Sequence, residues 1–163
     1  MAASIDGFIT KHADGLVNWT SKEDKKHFSK ITKEAGAVIY GKKTFATFNK
    51  PLPGRLNIVM TRDPDVSQNQ EGILEFTNQD PLLILENLYQ RGYKNVALGG
   101  GSEINKLFLE KDLIDEVYLT IEPRIFGSGK NIFASTSKDV RLELIDHEFL
   151  NKDSILLHYK VKR

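Results

Sequence analysis

The 163-residue chain contains no cysteine, one tryptophan, two methionines and five prolines. The missing cysteine excludes a disulfide framework, a thiolate zinc site and a cysteine nucleophile. No apolar run is long enough to cross a bilayer, and nothing reads as a secretory leader, so a cytoplasmic location is expected and the "NWT" sequon at Asn18 is a chance match. Charge of one sign is also missing. The 23 basic and 22 acidic residues are dispersed, giving a net charge of +1, which supplies neither a basic face for nucleic acid nor a polybasic membrane patch. His12, His27, His147 and His158 lack metal-ligand spacing, so no metal is expected. These absences leave a small molecule as the expected partner.

What is present is an alternation of short apolar strands with amphipathic helices, without repeat, linker or low-complexity tract, as expected of one α/β domain over residues 1–163. "MAAS", "AVIYG", "RLNIVMT", "ILEFT", "NVALGGG" and "LIDEVYLTIEP" read as strands. "SKEDKKHFSKITKEAG" reads as a helix capped by Ser21, stopped by Gly36, with Phe28 and Ile31 on one face. "DPLLILENLYQRG" starts at an Asp-Pro cap and ends on Gly92, and "SEINKLFLEK" is a third helix. "RDPDVSQNQEG" is a solvated loop. The alternation on both sides of "NKDS" predicts a C-terminal antiparallel hairpin on an otherwise mainly parallel sheet.

"GAVIYGKK" imitates a phosphate loop, yet Lys43 stands where a magnesium-binding hydroxyl belongs and the interior reads as strand, so a nucleotide triphosphatase is disfavoured. "GGGSEI" lacks the third glycine of the dinucleotide fingerprint but follows a strand and opens a helix, where free amides favour an anion. One glycine would serve a turn; three in a row favour close backbone approach to a ligand. Asp24, in the first turn of its helix, is accounted for on spacing alone as a carboxylate complementing the helix dipole.

Several segments, in order, resemble dihydrofolate reductase: "NWTSKEDKKHFSKIT", "VIYGKKTFATFNKPLPGRLNIVMTR", "LGGGSEINKLFL" and "VYLTIEP". "AASIDGFIT" and "LIDEVYLTIEPRIFGSGKNIF" are closer to the related pyrimidine reductases of riboflavin synthesis. The resemblance spans nearly the whole chain. It implies a three-layer α/β/α fold with a mixed, mainly parallel sheet, and NADPH-dependent reduction of 7,8-dihydrofolate to tetrahydrofolate, by a monomer or a homodimer. The alternatives are reduction of a ribosylaminopyrimidine or related heterocycle, and a nucleotide-binding module without turnover. Asp24 weighs against the module, because binding NADPH alone needs no pterin carboxylate.

Residue by residue, the resemblance implies that Asp24 grips the pterin edge, that Thr120 hydrogen-bonds this carboxylate, and that Trp19 stands beside a mobile loop, "TKHADGLVN". Ala2, Phe28, Phe48, Leu52, Arg55 and Leu98 are the expected substrate contacts. Two prolines in "PLPGR" stiffen the backbone so that Arg55 can grip a carboxylate with its guanidinium fork. On the cofactor side the expected contacts are Ala2, Ile9, Lys42, Lys43, Thr44, Thr61, Arg62, Gly99, Gly100, Gly101 and Ser102, with Lys42, Lys43 and Arg62 favouring NADPH over NADH by charge. Two departures from the family are visible. The family has several apolar residues before the segment matching "AASIDG", whereas this chain starts at Met1, so either the first strand is short or the start was chosen late, and no tyrosine opens the helix after "GGG".

Overall fold

The computed structural model describes residues 1–11, 18–48 and 50–163. Most of the "TKHADGLVN" loop, residues 12–17, lies outside them, as does Asn49. The strands are β1 (Ala2–Ser4), β2 (Ala37–Gly41), β3 (Leu56–Met60), β4 (Leu74–Thr77), β5 (Ala97–Gly100), β6 (Glu116–Glu122), β7 (Leu142–Phe149) and β8 (Ile155–Val161). The helices are α1 (Lys22–Ala35), α2 (Lys42–Ala46), α3 (Pro81–Gln90) and α4 (Ser102–Glu110). The solvated loop after β3 also carries a single 3-10 turn, Val66–Gln68, nucleated by the Asp65 side chain accepting from Ser67 N at 3.1 Å.

The caps anticipated in the sequence are formed. Ser21 Oγ accepts from Asp24 N at 3.2 Å, and Gly36 ends α1 in the left-handed region at φ 81°. Asp80 accepts from Leu82 N at 3.0 Å, and Pro81, which has no amide hydrogen to satisfy, opens α3.

The hydrogen-bonded strands form two four-stranded groups, where the sequence suggested one sheet. Strands β4-β3-β2-β5 are all parallel; in β1-β6-β8-β7, β1 pairs parallel with β6 and the remaining pairs are antiparallel. The short first strand explains the division. Three residues of β1 pair only with β6, and Met1 reaches β5 through its side chain, 3.2 Å from where a Gly100 Cβ would stand. Layering is still α/β/α. Ile39, Leu56, Ile58, Ile84, Leu88 and Phe108 build the core under α3 and α4, while Val38, Tyr40, Val59, Leu74 and Phe76 build the one under α2. The carboxyl ends of β2, β3 and β5 therefore meet the starts of α2 and α4, the usual ligand crevice of an open α/β sheet.

Candidate active site

The amino end of α1 is pinned by a side chain that sequence reasoning missed. Glu122, 3% exposed, accepts from Ser21 N at 2.7 Å and from Ser154 Oγ at 2.6 Å. Asn151 adds a bond to Glu23 at 3.3 Å. Burial raises the Glu122 pKa, but the hydrogen bonds from Ser154 and Ser21, with the nearby Arg124 charge, outweigh it and hold the carboxyl below its ordinary value.

With α1 so placed, Asp24, Phe28 and Thr32 recur every fourth residue along one face. Asp24 is 8% exposed, and its carboxylate has no hydrogen-bond or ion-pair partner among the described residues. Across from it runs β6, where Glu122 bonds to Ser21 and the Tyr118 ring faces His27 at 5.8 Å, leaving Thr120 between them opposite Asp24. The expected Thr120–Asp24 hydrogen bond is not formed; the Glu122 bridge fixes the helix start in its place, and both groups keep their polar atoms for a third party. The Trp19 indole is 6% exposed and packs edge-on against Phe126 at 4.9 Å. Its Nε1 is buried without a partner, as is His27 Nε2.

At the other end of the stripe lies Arg55, also buried. Its Nη1 donates to Thr32 Oγ1 in a short bond, and Nε and Nη2 donate to Pro53 O at 3.2 and 3.1 Å. The fork is thus already seated on α1 and on its own loop, yet no carboxylate pairs with it among the described residues. Burial lowers its pKa, with Tyr40 opposing. A second residue missed in the sequence positions the loop: Asn57, fully buried, accepts from Tyr40 OH and from Leu52 N at 2.9 Å, and donates to the carbonyls of Leu52, Arg55 and Ile73. Between the two ends, Phe28 stacks on Phe48 with centroids 6.5 Å apart, and Leu52 is half-buried beside the Tyr40 core. Leu98, expected among these, packs instead against the core under α3 and α4, since strand alternation turns it with Ile39 to that side.

The glycine end gathers the other expected residues. Neither α2, after Gly41, nor α4, after Gly101, has a side-chain cap. A Cβ on Gly99 would lie 3.1 Å from Tyr40 Cδ1, and one on Gly101 would lie 3.3 Å from Thr44 Oγ1, so the bare backbone lets these segments approach without displacing either side chain. Gly100 has φ 86°, and the Gly100–Gly101 peptide is cis. The Ser102 hydroxyl is committed to Asn131 O, leaving the α4 amides as the donors. Lys42, Lys43 and Arg62 are exposed and join no ion pair among the described residues; Thr61 is half-buried and donates its amide to Thr77 O at 3.0 Å. Ala2 is half-buried in register with Thr120, and Ile9 is buried, its amide on Lys130 O at 2.7 Å. Glycine backbone, free helix amides and three unpaired cations suit a phosphorylated dinucleotide.

The segment before residues 12–17 is tied down by Asp6. Its carboxylate accepts from Ser4 Oγ at 2.6 Å, Gly127 N at 2.7 Å and Phe126 N at 3.1 Å, and these bonds hold its pKa below the ordinary value. A cavity of about 470 Å³ lined by Trp19, Ser21, Glu122 and Ser154 opens beside the start of α1. Another of about 320 Å³ lies between β4 and α3, bordered by the Glu75–Arg91 pair, and contains none of the expected site residues.

A parallel α/β sheet with an antiparallel hairpin, a helix-borne carboxylate and a glycine-lined crevice defines the dihydrofolate-reductase-like superfamily. Within it, the chain belongs to the RibD C-terminal domain family, whose model matches residues 1–156. A dihydrofolate reductase of Lactococcus lactis is 32% identical over 136 residues, covering 83% of this chain and 77% of the relative. Among solved structures, the diaminohydroxyphosphoribosylaminopyrimidine deaminase/5-amino-6-(5-phosphoribosylamino)uracil reductase of Thermotoga maritima superposes with a TM-score of 0.81 at 20% identity, over 99% of this chain and 55% of that one. The dihydrofolate reductase of Enterococcus faecalis complexed with NADP(H) superposes with a TM-score of 0.73 at 24% identity, over 99% and 94%.

Proposed function

We propose that residues 1–163 act as one catalytic domain that reduces 7,8-dihydrofolate with NADPH. The observation that carries this reading is the α1 stripe. Asp24 carries a buried, unpaired carboxylate, and Thr32, eight residues and about 12 Å further along the helix axis, holds the buried Arg55 guanidinium, which has no carboxylate partner among the described residues. Phe28 and Phe48 lie between them. Dihydrofolate has matching parts in the same order: a hydrogen-bond-donating 2-aminopterin edge, an aromatic linker and a terminal carboxylate.

When bound, NADPH supplies the hydride for C6. Lys42, Lys43, Arg62, Thr44 and the Gly99–Ser102 backbone are the residues to hold it. Asp24 orients the pterin through its N3–H and 2-amino group and stabilises positive charge on the ring as N5 gains a proton. Thr120 holds the pterin amine from the β6 side. The apolar walls exclude water from the reacting rings, and Arg55 pairs with the glutamate α-carboxylate.

A second reading is favoured by the family match: reduction of a ribosylaminopyrimidine whose phosphate replaces the carboxylate at Arg55. The test is loss of NADPH absorbance when purified protein is given dihydrofolate or, separately, a ribosylaminopyrimidine phosphate. Turnover of the pyrimidine alone overturns the folate reading.

A further inference from the structure

Asn105, in the first turn of α4, is 3% exposed, and only half of its carboxamide is used. Its Nδ2 donates to Ile132 O at 2.7 Å and lies 2.9 Å from Met1 Sδ. The carbonyl of Ile132 can only accept, so the amide is fixed in this orientation and Oδ1 points the other way. That oxygen lies 3.6 Å from where a Gly100 Cβ would stand, beside the cis Gly100–Gly101 peptide, and has no hydrogen-bond partner among the described residues. Among the same residues, the side-chain polar atoms that are both sealed from solvent and unpartnered are Trp19 Nε1 and His27 Nε2, so Oδ1 borders open space. Beside Gly100, that space is the glycine crevice. An unmade hydrogen bond on so buried a side chain calls for a ligand-side explanation.

A phosphate is the wrong neighbour for this atom. Phosphate oxygens accept and carry negative charge, so they suit the free amides of α4 and repel a carbonyl oxygen. A cationic or hydrogen-donating group suits it. We propose that Asn105 Oδ1 faces the nicotinamide ring of the cofactor and stabilises the positive charge that the ring gains as it gives up hydride. The inference rests on the reading that NADPH occupies the glycine crevice. In that step the C4–H bond breaks and its electron pair leaves with the hydrogen for the substrate carbon, so the substrate is reduced and the oxidised ring is left as a pyridinium cation. The ring is uncharged beforehand. Asn105 therefore interacts more strongly with the ring as charge develops than it does before the step, which is the kind of difference that raises a rate. Its oxygen needs no rearrangement at that moment, because Ile132 O already holds the amide, and burial limits screening by bulk water.

The test compares the affinities of the oxidised and reduced cofactor by calorimetric titration of wild type, Asn105→Leu and Asn105→Asp. NADP+ and NADPH carry the same phosphates and riboses, so a residue that only supports the fold moves both affinities alike. Asn105→Leu should weaken NADP+ relative to NADPH by about 5- to 10-fold, as for one polar interaction lost. Asn105→Asp, which places a full negative charge beside the ring, should shift the ratio the opposite way by at least as much. Both variants alter a buried position, so the wild type supplies a measurement of its own: the Asn105 side-chain amide resonances, followed by NMR, should move far more on saturation with NADP+ than with NADPH. A ratio unchanged in both variants, or resonances that respond equally to the two forms, overturns the proposal and leaves the cofactor reading standing. A wild type that binds neither form overturns both.

Discussion

The guanidinium of Arg55 rests on the hydroxyl of Thr32, whose own proton goes to Phe28 O at 2.7 Å, so the cation is seated by the same helix that carries Asp24. Arg55→Leu is expected to raise KM for dihydrofolate by the equivalent of about 2 to 4 kcal/mol, as for a buried charge pair left half made. Dihydropterin, which has the ring and no tail, should be a poor substrate for both proteins and no poorer for the variant. Steady-state kinetics with the two substrates decide this; an unchanged KM for dihydrofolate removes Arg55 from the substrate site.

Asp24→Asn keeps the shape and removes the charge. It should abolish most turnover, on the order of 100-fold or more in kcat, while NADPH affinity measured by fluorescence titration stays near wild type. Turnover at the wild-type rate would refute the role given to this carboxylate.

Replacing Lys42 and Arg62 together by alanine should weaken NADPH binding and leave NADH little changed, because only the former carries a 2'-phosphate. Equal weakening of both cofactors would assign these cations to the shared pyrophosphate.

Glu122 gives the fold an acid-sensitive element. Its pKa is lowered in the folded state, so its contribution to stability is present above the ordinary carboxylate value and is lost as pH falls through the folded one. Glu122→Gln should cost about 1 to 3 kcal/mol at neutral pH, with the gap to wild type narrowing in acid. Urea unfolding across that pH range measures the gap, and a gap independent of pH contradicts the linkage.

Much of the fold was readable because its signals are local. Ser21, Gly36, Asp80 with Pro81, and the "NKDS" hairpin each act within a few residues of chain, and the structure has each where the sequence put it. The residues that escaped notice work at long range. Glu122 meets Ser21 across 101 positions and Asp6 meets Gly127 across 121, and neither spacing leaves a periodic trace. Asn57 was hidden differently: inside an apolar strand it reads as a blemish, and only folding reveals its five hydrogen bonds to four residues. Leu98 was misplaced because a motif match fixes the position of a residue in the chain but not the side of the strand on which it falls.

The division of the sheet has a mechanical consequence. Both buried core clusters belong to β4-β3-β2-β5, so the Arg55 loop and the glycine crevice stand on the half expected to open last, while Thr120 and Glu122 ride on the half that contributes no strand residue to either cluster. Sub-global opening is expected to begin in β7 and β8 and to spread to β6, freeing the start of α1 while the crevice stays intact. A ligand lying along α1 from Asp24 to Arg55 spans the seam and would act as a clasp between a stiff half and a loose one. Amide exchange in β6 and β8 should then slow far more on binding than exchange in β2 and β3.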